Sequence, residues 1–273
     1  MTTLSKVINP KYLDEANIQK LREQFENASP CKHILLDDFF TEEVANELYE
    51  NFPSFESLKV VRKSLNENKR EDYHFEKWHP TFTKVRDTFI SDEMGAFMSK
   101  ISGIEGLFTN TDSLGQGIHQ GGVGSFLDVH IDVNVNVGKK LWRRINLLIY
   151  LNKHWKPEYG GDVELWNKEM TECVVKYPPM FNKAVIFLTD ENSPHGYSKL
   201  NIPEGESRKS YYAYFFTPLE EGVVYKDSRF LNRPDDSVGK KVATTLKEHV
   251  KIKVKQLLSK LGVKSLDFQD KND

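Results

Sequence analysis

Between residues 13 and 27 apolar side chains fall at Leu13, Ile18, Leu21 and Phe25, a near-helical spacing that Asn27-Ala28-Ser29-Pro30 then interrupts, which predicts a first helix. HILLDDFF at 33–40 reads as a short buried strand. Thr41-Glu42-Glu43 follows as an N-cap and two acids at the positive end of a helix running through Phe52, which Pro53 ends. From Val61 to His79 charges dominate and apolar residues are scattered, so an exposed loop or hairpin is expected. Helical spacing returns at Phe82, Val85 and Phe89, and again at Met94, Phe97, Met98 and Ile101.

The rhythm changes from about Gly117 to Pro218. Short β-rich runs (FLDVHID, RRINLLIYL, DVELW, CVVKY, AVIFL and KSYYAYFF) are separated by Gly, Pro and Asn clusters. None of the gaps is long enough for the helical crossover a parallel sheet needs, which predicts an antiparallel, jelly-roll-like double sheet. Beyond Pro234, Val242, Leu246, Val250, Val254, Leu257 and Leu261 recur every three or four positions among lysines, the pattern of one amphipathic helix whose basic face is solvated. The acidic tail LDFQDKND is expected to fray. The chain therefore divides into 1–112, helices and first strands that brace the core; 113–220, the jelly-roll core; and 221–273, an extension with the amphipathic helix. The fold class is mainly β with flanking helices (α+β).

Composition narrows the function classes. With 38 Lys+Arg against 40 Asp+Glu the formal charge is −2, which speaks against a phosphate-tracking nucleic-acid surface. At 38% hydrophobic and 12% aromatic, the 273 residues can bury roughly three quarters of their unfolded surface, so disorder is excluded as the overall state. No apolar run approaches the ~20 residues of a membrane span. MTTLSKVINPKYL lacks a signal-peptide pattern and two cysteines, Cys31 and Cys173, make no disulfide framework, so a reducing, cytoplasmic setting is expected.

Two of the eight histidines have an acid two residues on, the spacing that puts both side chains on one face of a strand: His130 with Asp132, and His74 with Glu76. Chance alone predicts about one such pair, so context decides. His74 lies in KREDYHFEKWHP, where a solvated histidine is the plain reading. His130 lies in the β-run VHID behind the glycine-rich HQGGVGSFLD, a better seat for a metal. His195, in the turn SPHGY after the strand AVIFL, is by itself an ordinary surface histidine. Taken with His130 and Asp132 it completes two imidazoles and a carboxylate, the facial triad of non-haem Fe(II). Arg208 opens the strand RKSYYAYFF with Ser210 on the same face; the plain reading is a surface charge, the sharper one a guanidinium fork for a buried dicarboxylate. Along RRINLLIYL, alternation puts Arg144, Asn146, Leu148 and Tyr150 on one face and Ile145, Leu147, Ile149 and Leu151 on the other. The apolar face packs and the other lines the interior. Tyr150 is equally readable as a core tyrosine or as a donor to that carboxylate.

HID at 130–132, INLLIYLNKHW at 145–155, the glycine pair at 160–161, IFLTDENSPHG at 186–196 and RKSYYAYFFTP at 208–218 together resemble the prolyl-4-hydroxylase-like Fe(II)/2-oxoglutarate-dependent dioxygenases, over about 100 residues. The resemblance implies a double-stranded β-helix core with helices on one side. It makes His130, Asp132 and His195 iron ligands and catalytic residues, with Arg208 binding the distal carboxylate of 2-oxoglutarate and Ser210 and Tyr150 assisting. Fe(II), 2-oxoglutarate and O2 are then the cofactor and co-substrates of a hydroxylation. His119 and Gln120 stand near the place where family members often carry a further tyrosine, and the loop from Val133 to Trp142 is the chain's own.

The leading reading is a hydroxylase of a prolyl residue in a protein or peptide. Beside it stand a hydroxylase of a free amino acid or other small molecule, a catalytically silent binding protein, and a cupin-type metal-binding jelly roll. A silent protein would have lost a ligand or the arginine, and a cupin would need more histidines and no Arg208–Ser210 pair. No nucleic-acid or membrane partner is expected. Oligomeric state is left open.

Overall fold

The computed structural model describes residues 3–112 and 114–260, with side chains for all of these but 255–260. Four helices form where the apolar spacing predicts them: α1 (Glu15–Asn27), α2 (Glu42–Glu50), α3 (Pro80–Phe89) and α4 (Asp92–Ser102). Side chains of Asp14, Thr41, His79 and Ser91 accept the first free backbone N–H groups of these helices. Short helices are marginal alone, so their stability comes from the faces they bury. Ile18, Leu21 and Phe25 of α1, and Met94, Phe97, Met98 and Ile101 of α4, go into one core, each contributing about 1.5–3 kcal/mol.

That core lies against a sheet of thirteen strands: β1 (His33–Leu36), β2 (Val60–Lys63), β3 (Glu67–Asp72), β4 (Gln116–Gly121), β5 (Phe126–Ile131), β6 (Val135–Asn136), β7 (Leu141–Tyr150), β8 (Val163–Trp166), β9 (Cys173–Tyr177), β10 (Lys183–Leu188), β11 (His195–Tyr197), β12 (Arg208–Pro218) and β13 (Arg229–Phe230). The strand order is β1-β10-β7-β12-β4-β3-β5-β11-β8-β9, with β2 on β3, β6 on β7 and β13 on β5; each of these pairings is antiparallel. The sheet folds over into a nearly closed barrel, the double-stranded β-helix. Alternation decides which side chains go where: Ile145, Leu147 and Ile149 of β7 join the helices, whereas Tyr150, Val185 and Phe187 meet Val163 and Leu165 of β8 inside. Strands from all three stretches of the chain hydrogen-bond into this one sheet.

The structure corrects three local expectations. For the charged segment 61–79 the hairpin alternative holds, but the exposure does not. The segment contains the hairpin β2–β3, which is stitched to β4 and β5, with Glu71 and Asp72 buried. Its charges satisfy one another: Arg62 and Lys69 reach Glu71 at 2.7 and 3.2 Å, so burial does not leave them unpaired.

Alternation along β7 also fails at its start. A β-bulge shifts the register so that Phe215 faces Ile145 and Phe216 faces Arg143. Arg144 is the extra residue, and Arg143 points inward instead.

The helix α5 (Val238–Lys260) forms as expected but turns the other way. Val242 and Leu246 are 62% and 61% exposed, while Thr244 is buried and the lysines on its polar side reach the body of the protein. Lys240 donates to Asp128 at 2.8 Å and Lys247 to Asn66 at 3.0 Å. These acceptors on β5 and beside β3 outweigh the apolar stripe. The Leu257 side chain, Leu261 and the acidic tail lie outside the described residues.

Candidate metal centre and co-substrate pocket

His130 ends in β5 directly opposite His195 of β11, which brings two imidazoles from stretches 65 residues apart to a ring separation of 4.3 Å. Close packing of the two strands depends on Gly196, where a Cβ would sit 2.7 Å from the Leu127 carbonyl oxygen. Asp132 follows β5 and faces both rings, 3.4 Å from His130 Nε2 and 3.8 Å from His195 Nε2. The three ligand atoms lie within 4.8 Å of one another.

The other ring nitrogens fix the tautomers. His130 Nδ1 donates to the Asp128 carbonyl at 3.0 Å and His195 Nδ1 to the Ser193 carbonyl at 2.9 Å. A carbonyl only accepts, so both Nδ1 atoms carry protons and both Nε2 lone pairs face the centre, as metal-binding imidazoles require. Burial, helped by the neighbouring His130, pushes the His195 pKa down to about 4, so the ring is neutral near pH 7. Burial alone would raise the Asp132 carboxyl; the adjacent His130 and His195 rings and the Arg143 guanidinium outweigh it and hold the group well below the usual carboxylate range. Two imidazoles that turn Nε2 to the centre and an ionised carboxylate fit the donor set of a non-haem Fe(II) site.

The centre opens into a cavity of about 200 Å³. Arg208 and Ser210 of β12 line it, both buried. Arg208 Nε donates to the Gly161 carbonyl at 2.7 Å, and its guanidinium lies 4.2 Å from the Tyr197 ring and 4.8 Å from that of Tyr150. Tyr150 itself sits behind the cavity wall, fully buried; burial raises its pKa and the Arg208 charge opposes that rise. Five of the six residues singled out from the sequence thus share one cavity, and the sixth packs beneath the arginine. His74, the competing histidine, lies outside the cavity lining and pairs with Asp72 at 3.1 Å; Glu76 is exposed.

Sequence reasoning missed Arg143, whose guanidinium lies 3.5 Å from Asp132 and 3.8 Å from the Tyr214 ring, because the bulge hides its direction. It also passed over Tyr212 and Tyr214, although strand alternation from Arg208 and Ser210 puts them on the same inner face. His119 lines the cavity too, stacked on Tyr212 at 4.2 Å and paired with Glu71 at 3.3 Å. Gln120 bonds Ser207 instead.

The glycine pair has a definite role. Gly160 and Gly161 have φ of +66° and +76°, and a Cβ on Gly161 would stand 2.4 Å from Leu200 Cδ2 and 3.1 Å from Arg208 Cδ. Gly161→Ala is expected to displace the guanidinium and raise the half-saturating concentration of 2-oxoglutarate about tenfold, one lost charge-assisted contact. Metal affinity, measured by anaerobic titration, should be unchanged.

Residues 116–216 match the family model described as the 2OG-Fe(II) oxygenase superfamily, and residues 1–102 match one described as "Oxoglutarate and iron-dependent oxygenase degradation C-term". The first match spans His130, Asp132, His195 and Arg208. None of the curated proteins compared matches the chain. Among solved structures, a Trichoplax adhaerens prolyl hydroxylase in complex with a hypoxia inducible factor peptide fragment is 16% identical, with a TM-score of 0.52 over 76% of this chain and 95% of that one. A Pseudomonas putida prolyl-4-hydroxylase is 16% identical, with a TM-score of 0.50 over 71% and 97%. HygX from Streptomyces hygroscopicus, with nickel, 2-oxoglutarate and hygromycin B bound, is 14% identical, with a TM-score of 0.50 over 72% and 87%. At these identities the likeness is one of fold.

Proposed function

We propose that this chain, a dioxygenase carrying a 2OG-Fe(II) oxygenase domain over residues 116–216, hydroxylates a prolyl residue of a polypeptide. The observation that carries the reading is the convergence of His130, Asp132 and His195 at one place in a cavity that also holds Arg208 and Ser210. When bound, Fe(II) with 2-oxoglutarate and O2 supplies the oxidising chemistry, in which the co-substrate is decarboxylated to succinate and a substrate C–H becomes C–OH.

The protein's own part is binding, orientation and the exclusion of water. His130 and His195 offer Nε2 with ring planes held by backbone carbonyls, and Asp132 contributes the one anionic ligand. The Arg208 fork, held by the Gly161 carbonyl, takes the distal carboxylate of 2-oxoglutarate. Ser210 donates its hydroxyl to the same group, and the Tyr150 ring supports the guanidinium from behind. Leu127, Leu148, Val163 and Phe230 give the cavity apolar walls.

Cavity size favours a side chain over a large free ligand. About 200 Å³ is below the ~300–1,000 Å³ typical of small-molecule pockets, and the co-substrate takes part of it. A prolyl ring entering from the mouth, with its peptide outside, suits what is left. The peptide in the Trichoplax adhaerens neighbour supports that mode; hygromycin B in the HygX neighbour supports the second reading, a free small molecule.

The test has two stages. Anaerobic addition of Fe(II) and 2-oxoglutarate should give a weak visible charge-transfer band, and its absence at saturating co-substrate would sink the enzyme reading. Succinate release should then be stimulated by proline-containing peptides. Stimulation by free amino acids alone would replace the polypeptide reading with the small-molecule one.

A further inference from the structure

Strand β13 lies beyond the matched domain, yet it closes one wall of the cavity. Arg229 pairs with Ile131 and Phe230 with His130, and the Leu231 N–H donates to the Val129 carbonyl at 2.8 Å. The Phe230 ring stands 5.8 Å from that of His130. From outside, α5 holds this strand: Lys251 donates to the Ser228 carbonyl, and the Lys247 ammonium sits 4.9 Å over the Phe230 ring. Arg229 is therefore fixed by its backbone at the cavity while its side chain stays exposed.

The cavity's charge gives that position a meaning. Among the described residues five cations line it: Arg62, Lys69, Arg143, Arg208 and Arg229. Three acids face them, Glu67, Glu71 and Asp132, which leaves a surplus of two positive charges (5 − 3). Fe(II) and the 2-oxoglutarate dianion cancel formally, so loading the site does not remove the surplus. Arg62 and Lys69 share Glu71, Arg143 lies beside Asp132, and Arg208 is assigned to the co-substrate. Among the described residues Arg229 makes no ion pair within 4.0 Å, and neighbouring Glu191 is already paired with Lys226 at 2.9 Å.

We propose that Arg229 is a specificity-determining residue, selecting polypeptides with an acidic side chain next to the residue to be hydroxylated. The proposal rests on the polypeptide hydroxylase reading above. A positive cavity with apolar walls focuses its field outward and draws an anionic partner in. A rim cation adds discrimination through the encounter rate and through repulsion of like charge.

The experiment uses the full chain with Fe(II) and 2-oxoglutarate under anaerobic conditions. Two fluorescent proline-containing peptides, differing only in flanking Asp or Lys residues, are titrated and read by anisotropy. The protein is expected to bind the Asp-flanked peptide about tenfold more tightly, the low end of electrostatic steering, and to lose most of that preference at about 0.5 M salt. Arg229→Gln should reduce the preference and Arg229→Glu should reverse it. Lys253→Glu makes the same net-charge change as Arg229→Glu on an exposed part of α5 away from the cavity, and should keep the original preference.

Equal binding of both peptides by the unmodified protein, or an unchanged preference in Arg229→Glu, overturns the proposal. So does a reversal by Lys253→Glu, which would make net charge the cause. Free glutamate competing as well as the acidic peptide overturns the polypeptide part. The visible band, recorded in every sample, separates the two levels: its absence in the unmodified protein overturns the enzyme reading and this proposal together, while a band without charge selection overturns this proposal alone.

Discussion

Asp132→Ala should reduce succinate-forming turnover by about a thousandfold or more, about 4 kcal/mol of barrier. Two effects add. Alanine removes the one anionic donor facing His130 and His195, so a divalent cation loses the charge that holds it. It also leaves the Arg143 guanidinium, 3.5 Å from the Asp132 carboxylate, as an uncompensated positive charge beside the metal position. Anaerobic Fe(II) titration should therefore show weaker binding as well as lost turnover. Asp132→Asn keeps the shape and removes only the charge; it should share most of the defect. Turnover and metal affinity at the original level in Asp132→Ala would overturn the assignment of this residue.

Arg208→Met should act on the co-substrate alone. A bidentate guanidinium–carboxylate pair in a buried site contains two charge-assisted hydrogen bonds of about 1.5–3 kcal/mol each, so the half-saturating 2-oxoglutarate concentration should rise on the order of a hundredfold. Fe(II) binding should be retained, because Arg208 contacts Gly161, Tyr197 and Tyr150, none of which belongs to the triad. Arg208→Lys should restore little, since an ammonium cannot reproduce the planar fork or its stacking between aromatic rings. The co-substrate dependence of the visible band measures both variants without requiring the prime substrate. An unchanged half-saturation in Arg208→Met would refute the role.

These two residues were legible for different reasons. Asp132 shares a strand-spaced pair with His130, a signal that survives in one dimension because alternate residues of a strand share a face. Arg208 was marked by Ser210 two positions on, and by its place in a set of motifs that follow one another in order. Arg143 left no such mark. Counting back by twos from Asn146 and Tyr150 gives Arg144, and one bulged residue moves the inward charge to its neighbour. The hairpin at 60–72 is legible as one of two alternatives, but its burial is not, for a related reason: a run of charges looks solvated until its partners are known, and Glu71 finds Arg62, Lys69 and His119 only across strands.

By itself, then, the chain determined what depends on neighbours a few residues apart: helix positions, the Thr41 cap and, away from the β7 bulge, strand alternation. Tertiary structure decided what depends on the partner across the fold. It brought His195 opposite His130, faced the lysines of α5 toward the body with its valines outward, and set Arg229 at the cavity. Local periodicity states that a helix or strand has two faces, but which one is buried is an energy difference set by the surface it meets. At α5 that surface carries Asp128 and Asn66, and charge and hydrogen bonding prevailed over apolar burial.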